Sequence, residues 1–151
     1  MNKDYKYCKP ADILPHKAPM LLIDKIIDYD FKDYLKVSSH VNFDSIFVKG
    51  HFPGHPILPG VVILEMMFQA SGIHGRLSNT NKSDQQDNTI EKKIGKAVKV
   101  KNATFYKEAI PPCDIIIEVM RQSQLYKFTE YKVEAKINEI KICDAILVVT
   151  I

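Results

Sequence analysis

A chain of 151 residues that is 46% hydrophobic and 26% charged has the balance of an ordinary globular protein and suits one domain, residues 1–151, with one core. A net charge of +3 with no aromatic-rich basic motif gives no case for nucleic acid, and no apolar run reaches the roughly 18 residues of a membrane span. Cys8, Cys113 and Cys143 are scattered and form no CxxC pair, and the lysine-rich start, Met1 to Pro10, has no apolar signal-peptide core, so a cytoplasmic protein with reduced thiols is expected.

In chain order, Leu21 to Ile27 is apolar and β-branched enough for a strand. Leu35 to Phe43 is a second, with Val37 and Val41 on one face and Lys36, Ser38 and His40 on the other. Three prolines and three glycines between Gly50 and Gly60 exclude helix or central strand and predict a tightly turned loop. A helix opens at Pro59-Gly60 and runs from Val61 to Ile73. It is apolar nearly all round, as a buried helix is. Ser78 to Lys93 is polar and reads as an exposed loop. Ala97 to Tyr106, Asp114 to Met120, Phe128 to Ile137 and Ile140 to Ile151 follow as strands, broken at Pro111-Pro112 and Asn138-Glu139. In the third of these, Tyr131, Val133, Ala135 and Ile137 alternate with charged residues. One buried helix beside consecutive antiparallel strands is an α+β layout, a sheet wrapped around a helix.

Chemistry concentrates in Gly50-His51-Phe52-Pro53-Gly54-His55-Pro56-Ile57-Leu58-Pro59-Gly60 and in the Glu65 and Gln69 that follow. Glu65 lies among Leu64, Met66 and Phe68, and a carboxylate buried there must be paired or protonated. A buried, protonated carboxylic acid is what general-acid catalysis needs. Gln69, one turn on, can hydrogen-bond and orient it. His51 brings an imidazole suited to proton abstraction, and Gly60 a backbone N–H for a developing oxyanion. Taken singly, such a glutamate is more often salt-bridged and such a histidine more often solvated. His51 and His55 have the spacing of two metal ligands on a helix, but Pro53 and Gly54 exclude that helix, and no metal is expected.

The stretch GHFPGHPILPGVVILEMMFQASG resembles the signature of the bacterial 3-hydroxyacyl-(acyl-carrier-protein) dehydratases of the FabZ type, with the FabA type as relatives. LPHKAPMLLIDKI, Leu14 to Ile26, is similar to the family's N-terminal motif, and KVKNATFYKEAIPPCDIIIEV to the strand-turn-strand downstream. The resemblance implies a hot-dog fold and dehydration of 3-hydroxyacyl thioesters to trans-2-enoyl thioesters in fatty acid or related lipid biosynthesis. It implies catalysis by His51 and Glu65, with Gly60, Gln69, Phe52 and Pro59 in oxyanion and substrate binding. Glutamate rather than aspartate at 65 favours the FabZ type over the isomerising FabA type. The unit implied is a homodimer, in some members a trimer of dimers, whose sites pair a histidine of one subunit with an acid of the other. The implied partner is acyl carrier protein, whose 4′-phosphopantetheine carries the substrate. No cofactor is required, and neither membrane nor nucleic acid is a partner.

The chain departs from that pattern at the bulky Met66, Met67 and Phe68, at Pro112-Cys113-Asp114 where proline-glycine-aspartate is usual, and at Lys93, Ile94 and Gly95 where aromatic residues are common. These bear on acyl-chain length and substrate entry rather than on the chemistry. His16 reads as structural, His40 and His74 as surface or packing residues. Lys92, Lys93, Lys96, Lys99 and Lys101 form either a solvated face or a dock for an acidic carrier. The alternative functions are a hot-dog thioesterase or acyl-CoA hydratase, which would not need this loop in register with Glu65, and a non-catalytic acyl-binding subunit of a specialised lipid or polyene pathway.

Overall fold

The computed structural model describes residues 8–80 and 94–150. Six strands form one antiparallel sheet: β1 (Lys25–Tyr29), β2 (Tyr34–Val41), β3 (Lys96–Phe105), β4 (Cys113–Leu125), β5 (Phe128–Ile137) and β6 (Ile140–Thr150). Their spatial order is β1-β2-β4-β5-β6-β3. A short helix, α1 (Pro10–Ile13), precedes them, and the long helix α2 (Gly60–Thr80) packs across β2, β4, β5 and β6. This is the expected hot-dog architecture, a sheet wrapped around one helix.

Period-two patterning sets the inward face. Leu35 and Val37 of β2, Ile115, Ile117 and Val119 of β4, Tyr131, Val133 and Ala135 of β5, and Ala145 and Leu147 of β6 are all buried. Each large side chain removed from water here contributes about 1.5–3 kcal/mol. Against them α2 sets Ile63, Met66, Met67, Ala70 and Ile73.

Several boundaries move from their expected places, β2 ending at Val41 rather than Phe43 among them. Leu21 to Asp24 lies outside β1, and the Leu22 N–H bonds the Gln69 side chain rather than a strand. β4 continues to Leu125 because its exposed polar end stays paired, Gln124 opposite Thr129. The helix also outruns its expected end at Ile73, since Gly72 and Gly75 sit inside it without breaking it and tertiary packing overrides their low propensity. Ser78, expected in a loop, is instead helical and buried, with its hydroxyl 3.2 Å from that of Tyr29. The rest of that expected loop, residues 81–93, with Lys92 and Lys93, lies outside the described residues.

The expectation of a helix buried all round also needs correction. Val61 is 72% exposed, and Leu64, Glu65, Phe68, Gly72 and Arg76 are only half-buried. An apolar helix surface must be covered, but the pattern alone does not tell whether the chain's own sheet or another surface covers it.

The β5–β6 connection is a two-residue turn in which Asn138 and Glu139 both have positive φ, 50° and 64°. That is the type I′ geometry matching strand twist, and it disfavours a long side chain at its second position. Glu139→Gly is therefore expected to stabilise the protein by about 1 kcal/mol, read as a higher denaturation midpoint at unchanged slope.

Candidate active site

The loop before α2 is built on its glycines and its backbone bonds. Gly50 and Gly54 take φ of 82° and 77°, where a side chain is strained. The Phe52 N–H bonds the His55 carbonyl at 2.8 Å and the His55 N–H bonds the Phe52 carbonyl at 2.9 Å, closing the turn. The His51 ring sits above it, stacked on Phe52 at a centroid distance of 4.1 Å. Its Nδ1 lies 3.1 Å from the Ile57 carbonyl. A carbonyl can only accept, so Nδ1 carries the hydrogen and Nε2 presents a lone pair, the tautomer a general base requires.

Pro59 ends the loop, and its carbonyl accepts the Val62 and Ile63 N–H groups that begin α2. Gly60 answers a steric demand: a Cβ there would stand 2.7 Å from the Phe105 ring. One turn on, Glu65 points into a cavity of about 150 Å³ that also takes in Leu14, His16, Phe68, Gln69 and Arg76. That is small beside the roughly 300–1,000 Å³ of a typical small-molecule site.

Gln69 is 2% exposed and fully engaged. Its Nε2 donates to the Met20 carbonyl at 2.6 Å and to Glu65 Oε1 at 2.9 Å, while its Oε1 accepts the Leu22 N–H at 2.9 Å. It thus fixes the glutamate, as the one-turn spacing predicts. Truncation to Gln69→Ala would strand the Met20 and Leu22 backbone groups. It is expected to cost about 2 kcal/mol in urea denaturation and to lower kcat more than it raises KM.

Glu65 itself corrects the sequence expectation. Its side chain is 32% exposed, not buried among apolar neighbours, and Oε1 stands 3.5 Å from His16 Nε2. His16, read from sequence as structural, therefore belongs to the acid's immediate surroundings. The available signal was its place in the N-terminal motif, but nothing local brings it to α2.

Of the residues expected at the site, this cavity collects Glu65 and Gln69; His51, Phe52, Pro59 and Gly60 are not among those lining it. Phe52 is exposed. The other histidines behave as expected: His40 bridges Asp114 and Asn42 on the surface, and His74 packs in the core, its Nδ1 3.1 Å from the Tyr131 hydroxyl. Of the lysines in the expected face, Lys96 and Lys99 are exposed, whereas Lys101 pairs with Glu130.

The FabA-like domain model matches residues 14–146. The chain is 34% identical over 145 residues to the 3-hydroxyacyl-[acyl-carrier-protein] dehydratase FabZ of Legionella pneumophila strain Lens, covering 96% of this chain and 93% of that one. It is 35% identical over 133 residues to the FabZ of the Wolbachia of Drosophila simulans, covering 88% and 87%. Among solved structures it is similar to the dehydratase heterocomplex ApeI:P of Xenorhabdus doucetiae, with a TM-score of 0.79 and 21% identity over 95% of this chain and 91% of that one. With a family model spanning most of its length and relatives a third identical along nearly all of it, the chain belongs to the FabA-like family, as a member of the FabZ type.

Proposed function

We propose that the protein dehydrates 3-hydroxyacyl thioesters of acyl carrier protein to trans-2-enoyl thioesters in fatty acid biosynthesis, with His51 of one copy and Glu65 of another forming each site. The observation that carries this reading is the division of the chemistry within one chain. An anchored acid faces a cavity too small for a substrate, and a base of the correct tautomer sits outside it.

A second copy supplies what one chain lacks. Every residue of β3 is exposed or only partly covered, and among the described residues the strand pairs with β6 alone. Val98, Val100 and Phe105 there, with Val61 at the start of α2, are exposed apolar side chains beside a strand edge that no described residue pairs, which is a ready template for another chain. The homodimer is the working unit in this reading, with a trimer of dimers as its further assembly.

In the reaction the His51 Nε2 removes the proton from the α-carbon. The electron pair forms the new double bond, and the 3-hydroxyl departs with a proton from Glu65, so water is released. The Gly60 N–H faces the thioester carbonyl and stabilises the charge that develops there. His16, 3.5 Å from the acid, helps to hold the carboxyl in position. Gln69 orients the carboxyl, and Phe52 and Pro59 flank the substrate. The 4′-phosphopantetheine arrives on the carrier, no further cofactor takes part, and the reaction runs in the cytoplasm.

The test is an assay of purified protein with 3-hydroxyacyl carrier-protein substrates, following both the enoyl thioester absorbance and release of free thiol. Enoyl product without thiol release supports dehydration. Thiol release without enoyl product would establish a thioesterase instead.

A further inference from the structure

Of the three bulky residues that follow the acid, one faces the acid's cavity. Met66 and Met67 are 3% and 0% exposed and belong to the core beneath α2. Phe68 is half-buried, packs against the edge of that core and lines the cavity beside Glu65. Glu65, Phe68, Gly72 and Arg76 are three to four residues apart and so form one stripe along the helix. Phe68 is therefore the first side chain met by anything that passes the acid along this face.

The ring also leans into that path. Long side chains on a helix lie over the turn N-terminal to their own Cα, which carries the Phe68 ring toward Glu65. Beyond Phe68 the floor drops at Gly72, where a Cβ would meet Leu14 at an ordinary 3.5 Å. The opposite wall is fixed: Leu14 and Val149 are buried, and Val149 pairs with Ala97 across β6 and β3. The space beside the acid, about 150 Å³, is thus small because a phenyl ring stands where the helix would otherwise leave a groove.

We propose that Phe68 limits acyl-chain length, making the substrate a short 3-hydroxyacyl thioester of no more than about six carbons. The Cβ atoms of residues three apart on a helix are about 5–6 Å from each other, and an extended chain advances roughly 1.2 Å per bond. A 3-hydroxyl held at Glu65 then leaves about two or three further carbons before the chain meets the ring. The chain ends there and does not run on along α2. A second copy that completes the site adds walls around this space and leaves the ring in place. The proposal rests on the dehydratase reading for the chemistry at the thioester end, and on the placement of Phe68 for the limit on length.

The experiment measures kcat/KM on the carrier-protein thioesters of 3-hydroxybutyrate, 3-hydroxyhexanoate, 3-hydroxydecanoate and 3-hydroxydodecanoate. The wild type is expected to favour the butyryl and hexanoyl substrates over the decanoyl by about tenfold or more. Phe68→Ala raises the decanoyl-to-butyryl ratio by about tenfold or more and Phe68→Leu raises it less, whereas Met66→Leu, a swap of similar volume within the core, leaves it where it was. Similar wild-type turnover at every length, a ratio unmoved in both Phe68 variants, or an equal shift in Met66→Leu would overturn the assignment. Phe68→Leu keeps the test open where Phe68→Ala fails to fold, and the wild-type series needs no variant. If no thioester is turned over, calorimetry with unreactive pantetheine thioethers of the same lengths separates the two claims. Tighter binding of the short ligands keeps the length limit and removes the dehydratase reading; equal binding at all lengths removes both.

Discussion

His51→Ala and Glu65→Gln are each expected to lower kcat by about 10²–10⁴-fold, the range for loss of one positioned proton-transfer group, with the circular dichroism spectrum and melting temperature little changed. Stability should survive because neither side chain is a core residue. His51 stacks on the exposed Phe52, and Glu65 is a third exposed. Glu65→Gln also keeps an oxygen to accept the Gln69 N–H, so the anchor at Met20 and Leu22 stays closed. The two inactive variants carry a sharper test when mixed. If each site takes its base from one copy and its acid from the other, a heterodimer of the two variants has one site that lacks both groups and one with both intact. Random exchange then restores about a quarter of wild-type activity, because half the dimers are mixed and half their sites are whole. Variants that exchange, as followed by mass-tagged subunits, and still show no recovery would place both groups in the same chain's site.

The second large effect concerns acid. His74 is fully buried in α2, between the rings of Tyr29 and Tyr131, with centroids 5.7 and 5.3 Å away. Burial, with the Arg121 charge adding to it, holds the imidazole neutral and lowers its pKa from 6.5 to about 4, against a smaller opposing pull from the Lys32 backbone, Asp30 and Asp33. The folded protein therefore takes up this proton later than the unfolded chain as pH falls. Above pH 6.5 the two states are alike at this group and full stability is present. Between 6.5 and 4 the unfolded state is increasingly protonated while the native state is not, and stability drains away, by about 3 kcal/mol in all. Urea denaturation across this window should show the loss, and His74→Leu should flatten that part of the curve. A variant with the same slope as the wild type would assign the acid sensitivity to other groups.

How much of this was legible in the sequence depends on whether the cause was local. β5 was read to the residue because its alternation of Tyr131, Val133 and Ala135 with charged neighbours is a local consequence of a half-buried strand. The helix start was legible because Pro59 and Gly60 mark it chemically, and the pairing of Glu65 with Gln69 because one helical turn fixes their distance. What escaped was settled at long range. His16 reaches Glu65 only because α1 and the segment after it fold back onto α2. Glu65 could not be recognised as part-exposed from its apolar neighbours, since the sequence shows that α2 must be covered on every side but not by which surface. The last third of α2, His74 to Thr80, was missed because a glycine and then polar residues follow Ile73 and weaken the local helix signal. Arg76, a turn beyond Gly72 on the stripe that begins at Glu65, went unread with it.

The bonds that close on Gln69 have a further consequence. They make the position of the acid a property of two separate pieces of chain at once. Met20 and Leu22 grip the amide from one side and Glu65 takes its hydrogen on the other, while His16 leans on the same carboxyl from the start of that outer segment. The stretch from His16 to Leu22 is thus a lever on the reaction. A substitution that slides it by a fraction of an ångström swings the Glu65 carboxyl through the amide, with the identity of both proposed catalytic residues unchanged. Differences in turnover between family members with the same histidine and glutamate can be written there, in residues such as Met20 and Leu22 that act on the acid only through Gln69.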